Sequence, residues 1–377
     1  MRRVTSLLAV ALSAPVTLAA QSGAFVVRIG QDTLAVERYT RTAEMLQGEQ
    51  VLRAPATVHR IYRAALGPDG AMKSFELITH NIGGGPGPAE TRATIEFRGD
   101  SAIVQAPRRD STVTIRMATG PGAAPYVLQC YGLVEYMAQR ARAAGAERYT
   151  IPAVPLTAPQ PVTVTVERLG RDSTTITLGQ IGPLALRLDD AGRLAWLSGR
   201  GSTMQVDVER VPAMDLAALG AAFANRPLGP LSPADSVKAT VAGASLAVRY
   251  ARPSMRGRTI FGAVVPWNKV WRTGANSATV FETSTDLVMG GTAVPAGKYS
   301  LWTIPTPSGW TLIVNKNTGQ WGTDYNATHD LARLPMKVDR LAQPVEQFTI
   351  GIEPQGPGGV LKLEWETTRA SVAIAKK

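Results

Sequence analysis

FVVRIGQDTLAVERY, Phe25–Tyr39, sets the reading of the N-terminal half. FVVRI and TLAVERY alternate apolar and polar residues, the period of a half-buried strand. Gly30-Gln31-Asp32 between them is a turn signal. The same alternation returns in HRIYRAAL (59–66), KSFELITH (73–80), TRATIEF (91–97), SAIVQA (101–106) and TVTIRM (112–117). Gly67-Pro68-Asp69-Gly70 and Gly99-Asp100 break the runs. Short connections and strict alternation predict an antiparallel sheet with one wet face. Gly83-Gly84-Gly85-Pro86-Gly87-Pro88 is glycine-rich, but it lacks the Lys-Ser/Thr ending of a phosphate loop and no helix pattern follows. It reads as a hairpin tip.

The period changes over 125–145. Val127, Cys130, Val134, Met137 and Ala141 recur at three- and four-residue spacing, which predicts an amphipathic helix stopped at Gly145. Strand patterning resumes after Pro152, Pro155, Pro159 and Pro161 with VTVTVERL, STTITL, LALRL, RLAWLSG and TMQVDVERV. Ala-rich 213–224 reads as a short helix, and Arg226 to Asp235, with Pro227, Pro230 and Pro233, as a semi-rigid linker. The expected organisation is therefore a leader over 1–20, a sheet-and-helix domain over 21–225, a linker over 226–235 and a second domain over 236–377. A curved sheet over a helix is also the plan of periplasmic lipid and lipoprotein carriers, so a carrier role through the first domain is one alternative.

The second domain holds every tryptophan except Trp196. Its runs, from VKATVAGASLAVRYA to VLKLEWETT, have strand period, with hairpin signals at Gly290-Gly291, Pro295-Ala296-Gly297 and Pro307-Ser308-Gly309. The fold class expected is all-β, with a C-terminal β-sandwich of jelly-roll or immunoglobulin-like plan. Trp302 and Trp365 read as core.

Arg2 and Arg3, the apolar run Val4–Leu18 and small Ala19-Ala20 predict a secretory signal cut before Gln21. No Cys follows that site, so no lipid attachment is expected there. The expected location is periplasmic or secreted. Cys130 is the single cysteine, so no internal disulfide can form, and its apolar neighbours mark it as a buried small side chain. Formal net charge is +11, with most of the excess in the second domain. For an exported chain that excess favours anionic glycans, phosphorylated polymers or lipid headgroups over nucleic acid.

That charge concentrates in RPSMRGRTIFGAVVPWNKVWRTGANSAT, Arg252–Thr279. No acidic residue occurs between Asp235 and Glu282, and Pro253, Gly257, Gly262, Pro266 and Gly274 predict ordered turns. A guanidinium binds carboxylate or phosphate bidentately and stacks on aromatic rings. The expected ligand-binding set is Arg252, Arg256, Arg258 and Arg272 for charge, Trp321 and Tyr325 for stacking, and Asn276 and Gln320 for orientation. The competing expectation is that the arginines pair with Glu282, Glu364 and Glu366.

Catalytic signatures are missing: no His-Glu-x-x-His, Cys-x-x-Cys, Gly-x-Ser-x-Gly or Asp-Thr-Gly occurs. His59, His80 and His329 are split between the domains, so no three-histidine metal site is expected. Asp324, Asn326, Thr328 and Asp330 have calcium-loop spacing, but His329 and Pro335 stand where Gly and Glu belong. Glu364 and Glu366 share a strand face and could serve a hydrolase on envelope polymers, with His329 as a further candidate; Lys362 on that face makes charge pairing the expected role. No catalytic residue, metal or cofactor is expected.

The series SPADSV (232–237), RYARPSMRGRTIFGAVVPWNKVWRTGANSAT (249–279), VPAGKYSLWTIP (294–305), WTLIVNKNTGQWGTDYN (310–326) and LKLEWETT (361–368) resembles the DUF2911 domain of bacterial exported proteins, over about 231–375. The resemblance implies a fold and an envelope location, and no reaction. The function expected is an exported, non-enzymatic binding protein for an anionic or carbohydrate envelope ligand.

Overall fold

The structure is a computed structural model and describes residues 20–84, 87–108, 111–170 and 173–377. The expected leader therefore lies outside the described residues except for Ala20, as do Gly85 and Pro86 of the hairpin tip. The described residues form two sheets, fifteen and nine strands wide.

The first sheet contains β1 (Gln21–Ile29), β2 (Asp32–Arg41), β3 (Met45–Leu52), β4 (Val58–Leu66), β5 (Met72–Asn81), β6 (Glu90–Arg98), β7 (Ser101–Arg108), β8 (Ser111–Ala118), β9 (Ala124–Tyr126), β10 (Arg148–Pro155), β11 (Val162–Arg168), β12 (Thr174–Leu178), β13 (Pro183–Leu188), β14 (Leu194–Ser198) and β15 (Asp207–Val211). Its order is two meanders joined where β1 pairs with β15; every pairing is antiparallel except β9 with β10. Alternation suffices to build it because sequential hairpins need only short turns.

Helix α1 (Tyr131–Ala144) lies against the inner face of this sheet, ending at Gly145 in the left-handed conformation. It begins six positions after the expected residue 125, because Ala124–Tyr126 forms strand β9. Tyr131, Leu133, Val134, Tyr136, Met137 and Ala141 join the inner core with Phe25, Tyr39 and Tyr62. Each large side chain fully buried here contributes about 1.5–3 kcal/mol. Helix α2 (Leu216–Ala224), capped by Asp215, packs on the opposite face against Val36 and Val51.

One cross-strand row bears on the site of α1. Gly23 faces Tyr39, Tyr39 faces Gly48, and Gly48 faces Tyr62 across β1 to β4. A Cβ on Gly23 would strike the Tyr39 ring, and one on Gly48 the Tyr62 ring. The glycines give the tyrosines room to bend under the helix. Gly48→Ala is therefore expected to cost about 2 kcal/mol in urea unfolding, since both the backbone and a buried ring must shift.

The second sheet contains β16 (Ala234–Val241), β17 (Ala244–Ala251), β18 (Thr279–Thr283), β19 (Leu287–Met289), β20 (Thr292–Val294), β21 (Gly297–Thr306), β22 (Gly309–Asn315), β23 (Asp330–Gln355) and β24 (Gly358–Lys376). Long β23 links its halves: Asp330–Met336 pair with β22, and Lys337–Gln355 with β24. The core between them includes Phe281, Leu301, Leu312, Leu363 and Trp365. Glu366 has φ 54°, and the inward-facing parity changes across it, from Leu361, Leu363 and Trp365 to Ala370, Val372 and Ile374.

Candidate functional site

The basic window between β17 and β18 contains no named strand; buried aromatics hold it in place. Phe261 lies 4.8 Å from the Trp310 ring, and Trp271 stacks at 5.9 Å on Trp365. Trp271 exchanges main-chain hydrogen bonds with Thr303 on β21, at 2.7 and 2.8 Å. These anchors fix the intervening turns, where Arg256, Asn268, Thr273 and Asn276 all hold positive φ. Thr273 is β-branched and fully buried, so its φ of 53° stores strain directly beside Arg272.

The arginines do not form one outward surface. Arg252 donates to Asp235 Oδ2 at 3.2 Å, Phe348 O and Thr349 Oγ1. Arg256 reaches the first sheet, where its Nη1 donates to Asp32 Oδ2 at 2.6 Å. Its main-chain N–H goes to Glu346, and its carbonyl accepts from Gln31 N. Arg258 is held by the carbonyls of Met255 and Ser254, and burial lowers its pKa. The guanidiniums of these three residues, expected to bind ligand, are engaged by partners within the fold. The acids they use were not those anticipated either: Glu282 pairs with Arg249 and Lys298, and Glu364 with Arg369.

Gly30 lies so close to Arg256 O that a Cβ there would overlap it, so the β1–β2 turn is seated on the Met255–Arg258 turn. Asp32→Asn is expected to cost only about 1 kcal/mol, because the pair is partly solvated. The local effect is sharper: the Gln31 amide, which donates to Arg256 O, should exchange faster with deuterium.

Arg272 differs from the others. Among the described residues no carboxylate lies within ion-pair reach of it and its guanidinium makes no hydrogen bond; its Nε, like that of Arg256, is sealed from solvent with no acceptor. Burial alone acts on its pKa, lowering it. The side chain runs beneath Gly322, where a Cβ would collide with Arg272 Cδ. That glycine follows Trp321, which is 39% exposed. The loop is pinned to the window: Gly322 N donates to Asn276 O at 3.0 Å, Ala278 N donates to Gln320 O at 3.2 Å, and Ser277 bridges Trp321. Arg272, Asn276, Gln320 and Trp321 are thus brought together. Asn276 is exposed with a free side chain; Gln320 donates from Nε2 to Ser300 Oγ at 3.1 Å, while its Oε1 is buried with no hydrogen-bond partner. Tyr325 is not available for stacking. Its ring leans on Trp302, and its hydroxyl donates to Asp330 and accepts from Arg333. Burial and that acid push its pKa up to about 12.

Residues 232–374 match the family model of the Protein of unknown function (DUF2911). The second sheet is a DUF2911 domain. No family model covers the first sheet, and no curated protein matches the chain. Among solved structures the chain is similar to the beta-barrel-like protein of domain of unknown function DUF1849 from Brucella abortus. Identity is 13%, the match covers 51% of this chain and 94% of that one, and the TM-score is 0.34.

Other candidates in the DUF2911 domain are committed elsewhere. Glu364 is occupied by Arg369, and Lys362 by Glu353. Asp330 of the calcium-like spacing accepts from Asn315, Tyr325 and Arg333. His329 is exposed beside Thr328. Among the described residues no group of three or more His, Cys, Asp or Glu is placed to hold a metal.

Sequence reasoning missed two buried carboxylates of the N-terminal domain, Glu37 and Glu135. Glu37 is fully buried and accepts from Tyr62 Oη at 2.6 Å and from the main-chain N–H groups of Tyr131 and Gly132 at 2.7 and 2.8 Å. It caps α1 from a neighbouring strand, because Cys130 at the cap position makes no side-chain bond. Burial raises its pKa to about 7, against those hydrogen bonds. Glu135 on the helix binds Tyr39, Arg210 and Leu194 N. The signal for this network was the pair of strand-interior glycines, Gly23 and Gly48. Cys130 is buried as expected.

Proposed function

We propose that this chain is an exported, non-enzymatic binding protein that recognises an anionic or carbohydrate component of the bacterial envelope through the DUF2911 domain, at the surface around Arg272 and Trp321. The reading is supported chiefly by Arg272. A guanidinium drawn out of water without a counterion costs free energy, and such a cost is tolerated where a ligand supplies the missing charge. The neighbouring exposed tryptophan, the free Asn276 amide and a strained, pinned loop agree with a preformed site. The N-terminal Arg2, Arg3 and Val4–Leu18 pattern supports export.

The alternatives have weaker support. A hydrolase using Glu364 would first have to break its pair with Arg369. A carrier would need an apolar cavity where α1 meets the sheet; the start of α1 is packed and capped there, and the cavity of about 570 Å³ beside its end is lined by charged Arg142, Arg168, Arg187, Asp189 and Asp190. The test is retention of the whole chain on arrays of anionic glycans, neutral glycans and phospholipids. Retention that weakens with salt and is lost in Arg272→Met is expected; retention on no surface, or equal retention by the variant, would overturn the reading.

A further inference from the structure

We propose that the ligand of the Arg272–Trp321 surface is an acidic sugar, a pyranose bearing a single carboxylate; this deepens, and rests on, the anion-binding reading above. Three observations lead from an anion to this class. Arg272 Nε is sealed under Gly322, so the side of the guanidinium that includes Nε is closed. The Nη1–Nη2 edge remains, and one carboxylate spans such an edge with two parallel hydrogen bonds.

Among the described residues no other charged side chain bears on Arg272. A single positive charge in a poorly solvated place balances a monoanion. A phosphate monoester near neutral pH carries more negative charge, which would be left uncompensated; a phosphodiester matches the charge but has no apolar ring face of its own.

Trp321 adds an exposed apolar face on the residue beside Gly322. A sugar ring has one apolar C–H face to lay on such a surface, whereas a bare phosphate has none. Asn276 and Ser277, both exposed and without side-chain partners, stand on the strand-like segment paired to that loop and can meet ring hydroxyls. The loop is fixed from both sides by main-chain bonds, so little ordering cost remains for binding.

The experiment titrates the full-length chain with three probes by calorimetry: a short uronic-acid oligomer, the neutral oligomer of the same linkage, and inorganic phosphate. Arg272→Met and Trp321→Ala are titrated alongside, with circular dichroism melts to show that both fold. The uronic-acid oligomer is expected to bind, with the neutral oligomer and Arg272→Met each weaker by roughly 100-fold and Trp321→Ala weaker by roughly 10-fold. Phosphate binding as well as the uronic-acid oligomer, with Trp321→Ala unaffected, would overturn the acidic sugar and leave an anion site standing. Equal binding of the neutral oligomer, insensitive to Arg272→Met, would remove the role of charge. No heat with any probe would count against the anion-binding reading as well.

Discussion

Glu37→Ala is expected to destabilise the first sheet by on the order of 5 kcal/mol, comparable with the whole stability of many domains. The variant leaves three buried donors, Tyr131 N–H, Gly132 N–H and Tyr62 O–H, without their acceptor. Each costs about 1–3 kcal/mol when nothing replaces the partner. The loss should appear as melting of the first sheet in circular dichroism, while the DUF2911 domain keeps its tryptophan signal.

Glu37→Gln tests the same group more gently. It keeps the volume but replaces one acceptor oxygen by a donor. The pH dependence fixes the sign of the carboxylate's contribution. Glu37 has a pKa of about 7 in the fold, above its ordinary 4.5. The folded state therefore retains a proton that the unfolded chain has released. Stability attributable to this group is complete below pH 4.5 and declines as pH rises to about 7, at no more than about 1.4 kcal/mol per pH unit. Glu135, raised by burial as well, adds a slope of the same sign. The difference between wild type and Glu37→Gln, measured by urea unfolding across that range, should show the Glu37 share. A flat difference would mean that Glu37 is ionised in both states.

Arg272→Met has the second large effect, and it falls on binding. A bidentate charged contact is worth about 3 kcal/mol, so affinity for an anionic ligand should drop roughly 100-fold. Met follows the same path under Gly322 without a charge, so the packing of Trp271 and the Thr273 turn should persist. Arg272→Lys separates charge from shape. It keeps the cation and loses the planar edge, and should fall between the two in affinity.

Much of the fold was legible because alternation at period two and spacing at three and four reflect burial directly. The β1–β2 hairpin, α1 with Gly145, and buried Trp302 and Trp365 all follow from that. The arginines show where such reading stops. The window lacks acids along the chain, yet Arg252 and Arg256 find Asp235 and Asp32 through space, one at its border and the other on a different sheet. Charge counted in sequence does not report charge compensated in three dimensions. Glu37 was hidden for the opposite reason. In TLAVERY it looks like the polar member of an alternating strand, but it shares the inner face with Ala35 and Tyr39. Only a helix that begins 94 residues later makes it a cap. Of the proposed binding set, Arg272, Asn276 and Trp321 remain available, because their local turns and Gly322 keep other side chains away.

Urea unfolding of Arg272→Met beside wild type, followed by tryptophan fluorescence, asks most directly whether that arginine serves the fold or something outside it. An idle, poorly solvated charge predicts a midpoint equal to or above wild type, by up to about 1 kcal/mol. A midpoint lower by about 2 kcal/mol or more would show that Arg272 holds the domain together, and the ligand surface proposed around it would have no spare charge to offer.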